Sequence, residues 1–118
     1  DVFQYLFTWE SPWDGGRLGS PHAIDLGFVF GTHAVNQGSA EFFGSGAAAE
    51  TLSGHVQDAW LKFASEGNPR TDALADWQPY DTDTRTTATL GSSVAVDEDP
   101  GGAERSAWDG ADAALGTL

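Results

Sequence analysis

The sequence predicts a mixed α and β fold of one domain over residues 1–118, built as a small α+β unit of about three strands, one long helix and short helices. Three observations predict it. Residues 2–9 are strand-like, residues 47–66 carry a helical apolar stripe, and residues 86–96 read as a hairpin. With 40% hydrophobic and 12% aromatic residues, the chain has enough apolar side chains for one core.

The first strand is predicted over residues 2–9, VFQYLFTW, where β-branched and aromatic residues dominate. Apolar side chains fall on both faces, which is typical of a strand that is covered on both sides. Because no initiator methionine precedes it, we expect a segment of a longer protein. Residues 10–21 form a loop by composition, and residues 22–30 are either a short helix or an irregular packed segment.

Residues 32–46 are polar and glycine-rich and predict no regular element. The long helix is predicted over residues 47–66 because apolar residues recur at spacings of three and four. The stripe consists of Leu52, Val56, Ala59, Trp60 and Phe63. Gly67 is the predicted C-cap, and Pro69 prevents continuation of the helix.

A loop follows over residues 68–84, with Trp77 and Tyr80 as its predicted anchors. Two short strands, residues 86–90 and 94–96, flank Gly-Ser-Ser and predict a hairpin. An acidic turn over residues 97–102 ends the hairpin, and residues 103–115 predict a last helix anchored by Trp108.

The chain is strongly acidic, with 18 acids against 5 bases and a net charge of −13. This charge repels phosphates and anionic lipids, so we expect neither nucleic acid nor a membrane as a partner. Two interpretations of the acidity stay open, which are adaptation to high salt and the composition of a GC-rich genome. Without cysteine, disulfides and thiolate metal sites are excluded, and the sequence does not indicate a cellular compartment.

The familiar catalytic motifs are absent from the sequence. A serine hydrolase of the α/β type needs G-x-S-x-G between a strand and a helix. The nearest match is Gly91-Ser92-Ser93, which lies in the predicted hairpin, so Ser93 is rejected as a nucleophile. His33 and His55 are predicted at the surface or on a helix flank, and no spacing specifies a metal or cofactor site.

His22 is the candidate catalytic residue because it follows a predicted strand on a loop, after Gly-Ser-Pro. Imidazole exchanges protons near neutral pH, as a general base must, and ligand sites of α/β sheets gather where strands end. The residues alone also allow a loop histidine that is hydrogen-bonded to a backbone carbonyl.

The stretch GGRLGSPHAIDLGFVFGT resembles the catalytic-histidine segment of the type-B carboxylesterases, which include the para-nitrobenzyl esterases and the cholinesterases. The family pattern is G-x-x-H-x-x-E-[IL]-x-F-[VL]-F-G, and Asp25 stands where glutamate is usual. Downstream, LSGHVQDAWLKFASEGNP and WQPYD resemble further family motifs in the same order. The resemblance extends over about residues 1–109.

The resemblance implies the C-terminal portion of an α/β-hydrolase domain that cleaves small carboxylic esters without a cofactor. It implies that His22 is the general acid/base of a Ser-His-Glu/Asp triad, and that Asp25 and Gly19 support its loop. The serine and the acid would lie upstream, so the isolated chain would be inactive. Trp9 and Trp13 are candidate substrate-pocket residues.

Two other functions stay open at this point. The alternatives to the segment of an ester hydrolase are a non-catalytic binding or interaction module and a truncated pseudoenzyme of the same fold. If strand 2–9 belongs to a larger sheet, then Phe28 and Phe30 would pack on elements outside the chain. We expect the remainder of the hydrolase domain, or a second copy of the chain, to cover these surfaces.

Overall fold

The computed structural model describes residues 1–109 and 111. The three strands are β1 (Gln4–Phe7), β2 (Thr86–Leu90) and β3 (Val94–Glu98). The helices are α1 (Leu26–Val29), α2 (Gln37–Phe43), α3 (Ala47–Glu66) and α4 (Gly102–Ala107), and two short 3-10 turns cover Trp13–Gly16 and Asp72–Leu74. The small α+β unit of three strands and one long helix is therefore confirmed.

The three strands form one sheet in the order β1-β2-β3. Strand β1 runs parallel to β2, with Gln4 opposite Thr87 and Phe7 opposite Leu90. Strand β3 returns antiparallel to β2, as the predicted hairpin requires. Strand β1 is thus an edge strand within the described part of the chain, and the loop after it starts at the sheet edge.

The prediction that strand β1 is covered on both faces is wrong for this chain. Tyr5 and Phe7 are half-buried, whereas Gln4 and Leu6 are exposed. The helices cover the face of the sheet that carries Tyr5 and Phe7. Leu6 on the opposite face is 46% exposed because no described element packs there.

Helix α3 begins and ends as the sequence predicts. Leu52, Val56 and Ala59 of the stripe are buried, and Trp60 packs partly against the core. Gly67 closes the helix with φ +71°, a left-handed conformation that glycine adopts without strain, and its N–H donates to the carbonyl oxygen of Phe63. Phe63 is half-exposed, so the stripe leaves the core at its last turn.

The core and its flanking hydrogen bonds join the start of the chain to the loop over residues 68–84. Its buried residues are Ile24, Phe28, Ala49, Leu52, Val56, Ala59, Leu74, Trp77, Ala88 and Leu90. Trp77 is the predicted anchor of its loop, and its indole N–H donates to the carbonyl oxygen of Gln4 at 3.0 Å. The backbone N–H of Tyr80, the second predicted anchor, donates to the carbonyl oxygen of Val2 at 2.7 Å.

Four sequence expectations need correction. Phe28 does not need elements outside the chain for its packing, because it is fully buried against Phe7 and Trp9. His33 is buried rather than at the surface, because its ring stacks on Phe28 at 5.2 Å. Trp108 is 74% exposed and does not anchor the last helix.

The fourth correction concerns residues 32–46, which contain helix α2 where no element was predicted. Asn36 caps this helix, since its side-chain oxygen accepts the backbone N–H of Ser39 at 2.9 Å. The last helix, predicted over residues 103–115, is observed as Gly102–Ala107. Residues 110 and 112–118 of the chain lie outside the described residues.

Candidate active site

His22 lies exposed in a tight turn between the end of the loop after β1 and helix α1. The turn is closed by backbone hydrogen bonds from Ile24 to Pro21 and from Leu26 to Ala23, both 3.2 Å long. Ala23 has φ +66°, which an alanine adopts only at a conformational cost. Ile24 is buried and fixes the turn to the core, so His22 is held at a rigid surface position.

The imidazole of His22 forms no hydrogen bond with any described residue of the chain. The interpretation of His22 as a loop histidine bonded to a backbone carbonyl is therefore not realised here. An exposed imidazole whose nitrogens are both available has the geometry that proton transfer to a further group requires.

Two side-chain hydrogen bonds tie the loop to strand β1 on either side of His22. Before the histidine, the hydroxyl of Ser20 donates to the carbonyl oxygen of Phe7 at 2.9 Å. After it, the hydroxyl of Tyr5 donates to Oδ2 of Asp25 at 2.9 Å. One short strand therefore contacts both ends of the histidine turn, through the backbone of Phe7 and the side chain of Tyr5.

The Tyr5 side chain is itself fixed. Its ring packs edge-to-face on Trp60 of helix α3 with centroids 5.0 Å apart. Burial raises the pKa of Tyr5 to about 12, with further contributions from the hydrogen bond to Asp25 and from the Asp25 charge. Tyr5 therefore stays protonated and remains a donor over the physiological pH range.

Gly19 lies three residues before His22 and forms two backbone hydrogen bonds within the loop. It has φ +58°, its N–H donates to Gly16 at 3.0 Å, and its carbonyl oxygen accepts the N–H of Ser11 at 2.8 Å. A side chain at this position would meet no atom within 4 Å. The left-handed backbone, and not a lack of space, explains the glycine.

Trp9 and Trp13 lie together, but His22 does not line their groove. The groove has a volume of about 820 Å³, and Glu10, Asp14, Gln37 and Glu41 also line it. The indole N–H of Trp9 donates to the carbonyl oxygen of Phe43 at 2.7 Å, which fixes one wall. The described residues therefore do not join the candidate pocket to the candidate catalytic histidine.

Three further features were sought among the described residues, which are a serine nucleophile, a metal site and a membrane-spanning helix. Ser93 lies in the turn of the β2-β3 hairpin, as the sequence predicts, and strand β3 rather than a helix begins directly after it. No group of three histidine, cysteine or acidic side chains among the described residues is close enough to bind a metal ion. Over the same residues, no helix has the length and apolar character needed to span a bilayer.

Sequence reasoning missed the two residues that hold the histidine turn. Tyr5 was recognised only as a strand residue and Ser20 only as part of a bend. One signal was available, since a tyrosine on the core-facing side of a strand usually needs a partner for its hydroxyl. The sequence does not indicate which acceptor lies within reach.

The three-stranded sheet with helices on one face matches a segment of an esterase α/β-hydrolase fold. The family described as "Carboxylesterase family" matches residues 1–108. The chain therefore belongs to the carboxylesterase family.

The chain is similar to the para-nitrobenzyl esterase of Bacillus subtilis, with 35% identity over 101 residues, which cover 84% of this chain and 20% of that protein. Carboxylesterase 1F of Mus musculus is 32% identical over 79 residues, which cover 67% of this chain and 13% of that protein. The chain thus spans at most about a fifth of the curated relatives it matches.

Solved structures give the same result. The Geobacillus stearothermophilus carboxylesterase is 33% identical and superposes with a TM-score of 0.73 over 92% of this chain and 22% of that one. A PNB esterase structure is 32% identical with a TM-score of 0.72, covering 89% of this chain and 21% of that one. The resemblance deduced from the motifs is confirmed at the level of the family and its fold.

Proposed function

We propose that the chain is the segment of a carboxylic ester hydrolase that supplies the general acid/base histidine, His22. The serine of the triad would come from residues outside these 118, because G-x-S-x-G is absent. The family resemblance implies that the acid of the triad also lies upstream. The observation that carries the proposal is the exposed, unengaged imidazole of His22 on a rigid turn that is tied to the parallel strand β1.

In this role His22 accepts the proton of the serine hydroxyl as the hydroxyl oxygen attacks the ester carbonyl carbon. It then donates that proton to the oxygen of the leaving alcohol. In the second half of the reaction His22 accepts a proton from water as the water oxygen attacks the acyl-enzyme. It then returns the proton to the serine oxygen, and the carboxylic acid is released. The substrate class, a carboxylic ester, is the one that the family name implies.

Asp25 is proposed to support the loop rather than to serve as the triad acid. One of its carboxylate oxygens already accepts the Tyr5 hydroxyl, and Asp25 forms no hydrogen bond to His22 in the described structure. Gly19 supports the other end of the loop through its backbone. Trp9 and Trp13 are retained as candidate substrate-contacting residues, since their groove offers two indole rings.

The test is hydrolysis of para-nitrophenyl acetate by the full-length protein that carries this segment. His22→Ala should reduce kcat by about 10³-fold or more, as loss of a triad member does. His55→Ala, on helix α3, is the matched control and should leave kcat unchanged. Near-normal turnover of the His22 variant contradicts the proposal, and an upstream region without G-x-S-x-G would favour a pseudoenzyme or an interaction module.

We also propose that the remainder of the hydrolase domain covers the exposed edge and face of β1. Leu6 is half-exposed, Val2 just before the strand is exposed, and β1 pairs with only one described strand. In its absence the chain should self-associate through this edge. Light scattering of the 118-residue chain should give a mass above 12.4 kDa that rises with concentration, and a constant monomeric mass contradicts this expectation.

A further inference from the structure

We propose that Tyr5 is a positioning residue for His22 and acts through its hydrogen bond to Asp25. The inference rests on the proposed function of His22 as the proton-transferring group. It adds a residue of strand β1, 17 positions before the histidine, to the apparatus that orients it.

The first step of the argument is the way the turn is held. Residues 20 and 25 flank His22, and each is tied by one side-chain hydrogen bond to β1, at Phe7 and Tyr5 respectively. Ser20 is exposed, so its hydrogen bond competes with water. The Tyr5–Asp25 bond is half-buried and joins a hydroxyl to a carboxylate, which makes it the stronger of the two restraints.

The second step is the rigidity of the donor. Tyr5 lies between the sheet and helix α3, with Ala88 opposite it in β2 and Trp60 against its ring. Its hydroxyl therefore has a fixed place relative to the core. The hydrogen bond therefore also fixes the carboxylate of Asp25 relative to the core. Asp25 directly precedes helix α1.

The third step is the consequence for proton transfer. His22 precedes Asp25 by three residues in a turn closed by two backbone hydrogen bonds. A displacement of Asp25 shifts the turn and, with it, the imidazole. Since proton transfer requires hydrogen-bond distance, a displacement of about 1 Å lowers the rate by up to about 100-fold without weakening the binding of substrate.

The test compares the two tyrosines of the chain in the full-length enzyme with para-nitrophenyl acetate. Tyr5→Phe keeps the ring on Trp60 and removes only the hydroxyl. Tyr80→Phe removes a hydroxyl that accepts a hydrogen bond from Arg85, away from the histidine turn. We expect Tyr5→Phe to lower kcat by about tenfold with KM unchanged, and Tyr80→Phe to change neither.

A double-mutant cycle separates positioning from general stability. In an Asp25→Ala background, Tyr5→Phe should cause no further fall in kcat, because the hydroxyl then has no carboxylate to hold. Urea denaturation of each variant reports stability. If Tyr5→Phe lowers kcat equally in both backgrounds, or lowers it only in parallel with the urea midpoint, the positioning role is overturned.

The His22→Ala variant distinguishes the two proposals. If His22→Ala abolishes turnover while Tyr5→Phe behaves like Tyr80→Phe, the function of His22 stands and the role of Tyr5 is wrong. If His22→Ala retains turnover, both proposals are wrong. A selective fall in kcat for Tyr5→Phe that depends on Asp25 supports both.

Discussion

The hydroxyl of Ser53, in the middle of helix α3, donates to the carbonyl oxygen of Phe28 in helix α1 at 2.9 Å. The same hydroxyl accepts the side-chain amide of Gln57 at 2.8 Å. Ser53 is buried, whereas Gln57 is half-buried. This small network connects the long helix to the helix that follows the His22 turn, and thereby links the best-predicted element of the chain to its candidate site.

Ser53→Ala should lower the free energy of unfolding by about 1 kcal/mol, because it removes the hydrogen bonds that the hydroxyl donates to Phe28 and accepts from Gln57. Ser65→Ala is the matched control, since Ser65 is exposed on the same helix and the change in helix propensity is the same. Urea denaturation measures both. Equal effects of the two substitutions would show that the Ser53 hydroxyl contributes nothing to stability.

Phe28 and Phe30 are two residues apart, and truncation should cost much more stability at Phe28 than at Phe30. Phe28 is fully buried, whereas Phe30 is 71% exposed. Phe28→Ala opens a cavity beside Phe7 and Trp9 and should cost about 3–5 kcal/mol, while Phe30→Ala should cost less than about 0.5 kcal/mol. Urea denaturation of the 118-residue chain decides this, and a large effect at Phe30 would mean that its ring is covered in solution.

The sequence predicted the elements whose cause is local. Helix α3 has its stripe and its glycine cap within its own residues, and the hairpin has its turn between its two strands. The strand β1 is shorter than residues 2–9 because pairing partners, and not composition, set its length. Helix α2 was missed because its seven residues are mostly polar and show no clear apolar period.

In the candidate site, too, the sequence predicted the local features but not the contacts between distant residues. The motif located His22, Asp25 and Gly19 on one loop, and that loop exists as a tight turn. The hydrogen bond from Tyr5 to Asp25 joins residues 20 positions apart, and only the packed sheet brings them together. The burial of His33 has the same origin, because its stacking on Phe28 depends on the fold of the intervening turn.

Two helical glycines offer a matched test of packing. A Cβ on Gly27 in helix α1 would lie 2.6 Å from a ring carbon of Phe43, whereas a Cβ on Gly54 in helix α3 would meet nothing within 4 Å. Gly27→Ala should therefore destabilise the chain by about 1–3 kcal/mol through overpacking. Gly54→Ala should stabilise it by about 1 kcal/mol through helix propensity. The midpoints of thermal unfolding of the two variants should therefore shift in opposite directions from that of the parent. A gain in stability for Gly27→Ala would contradict the close approach of α1 and α2.

Asp81 makes one contribution to stability that depends on pH. Its carboxylate accepts the backbone N–H groups of Thr84 and Asp83 at 2.7 and 2.8 Å, and these hydrogen bonds lower its pKa below the usual 3.8. A lowered pKa stabilises the folded chain at pH values above the unfolded pKa, and this stabilisation is lost as the pH falls through the folded pKa.

The variant Asp81→Asn should accordingly be less stable than the parent at pH 6, and the difference should shrink below about pH 4. Urea denaturation from pH 2 to pH 7 measures it. Asp83→Asn is the control, because its side chain accepts no hydrogen bond from the described residues. A constant difference across this pH range would show that the Asp81 turn does not titrate as proposed.

The net charge of −13 predicts a dependence of stability on salt. Like charges on a compact chain repel one another more than on an expanded one, and counterions screen that repulsion within a Debye length. If the acidity is an adaptation to high salt, the thermal midpoint should rise from low salt to molar KCl. The double variant Asp58→Asn/Asp76→Asn removes two exposed charges and should rise less over the same range. A midpoint that does not change with KCl would leave the composition of a GC-rich genome as the explanation of the acidity.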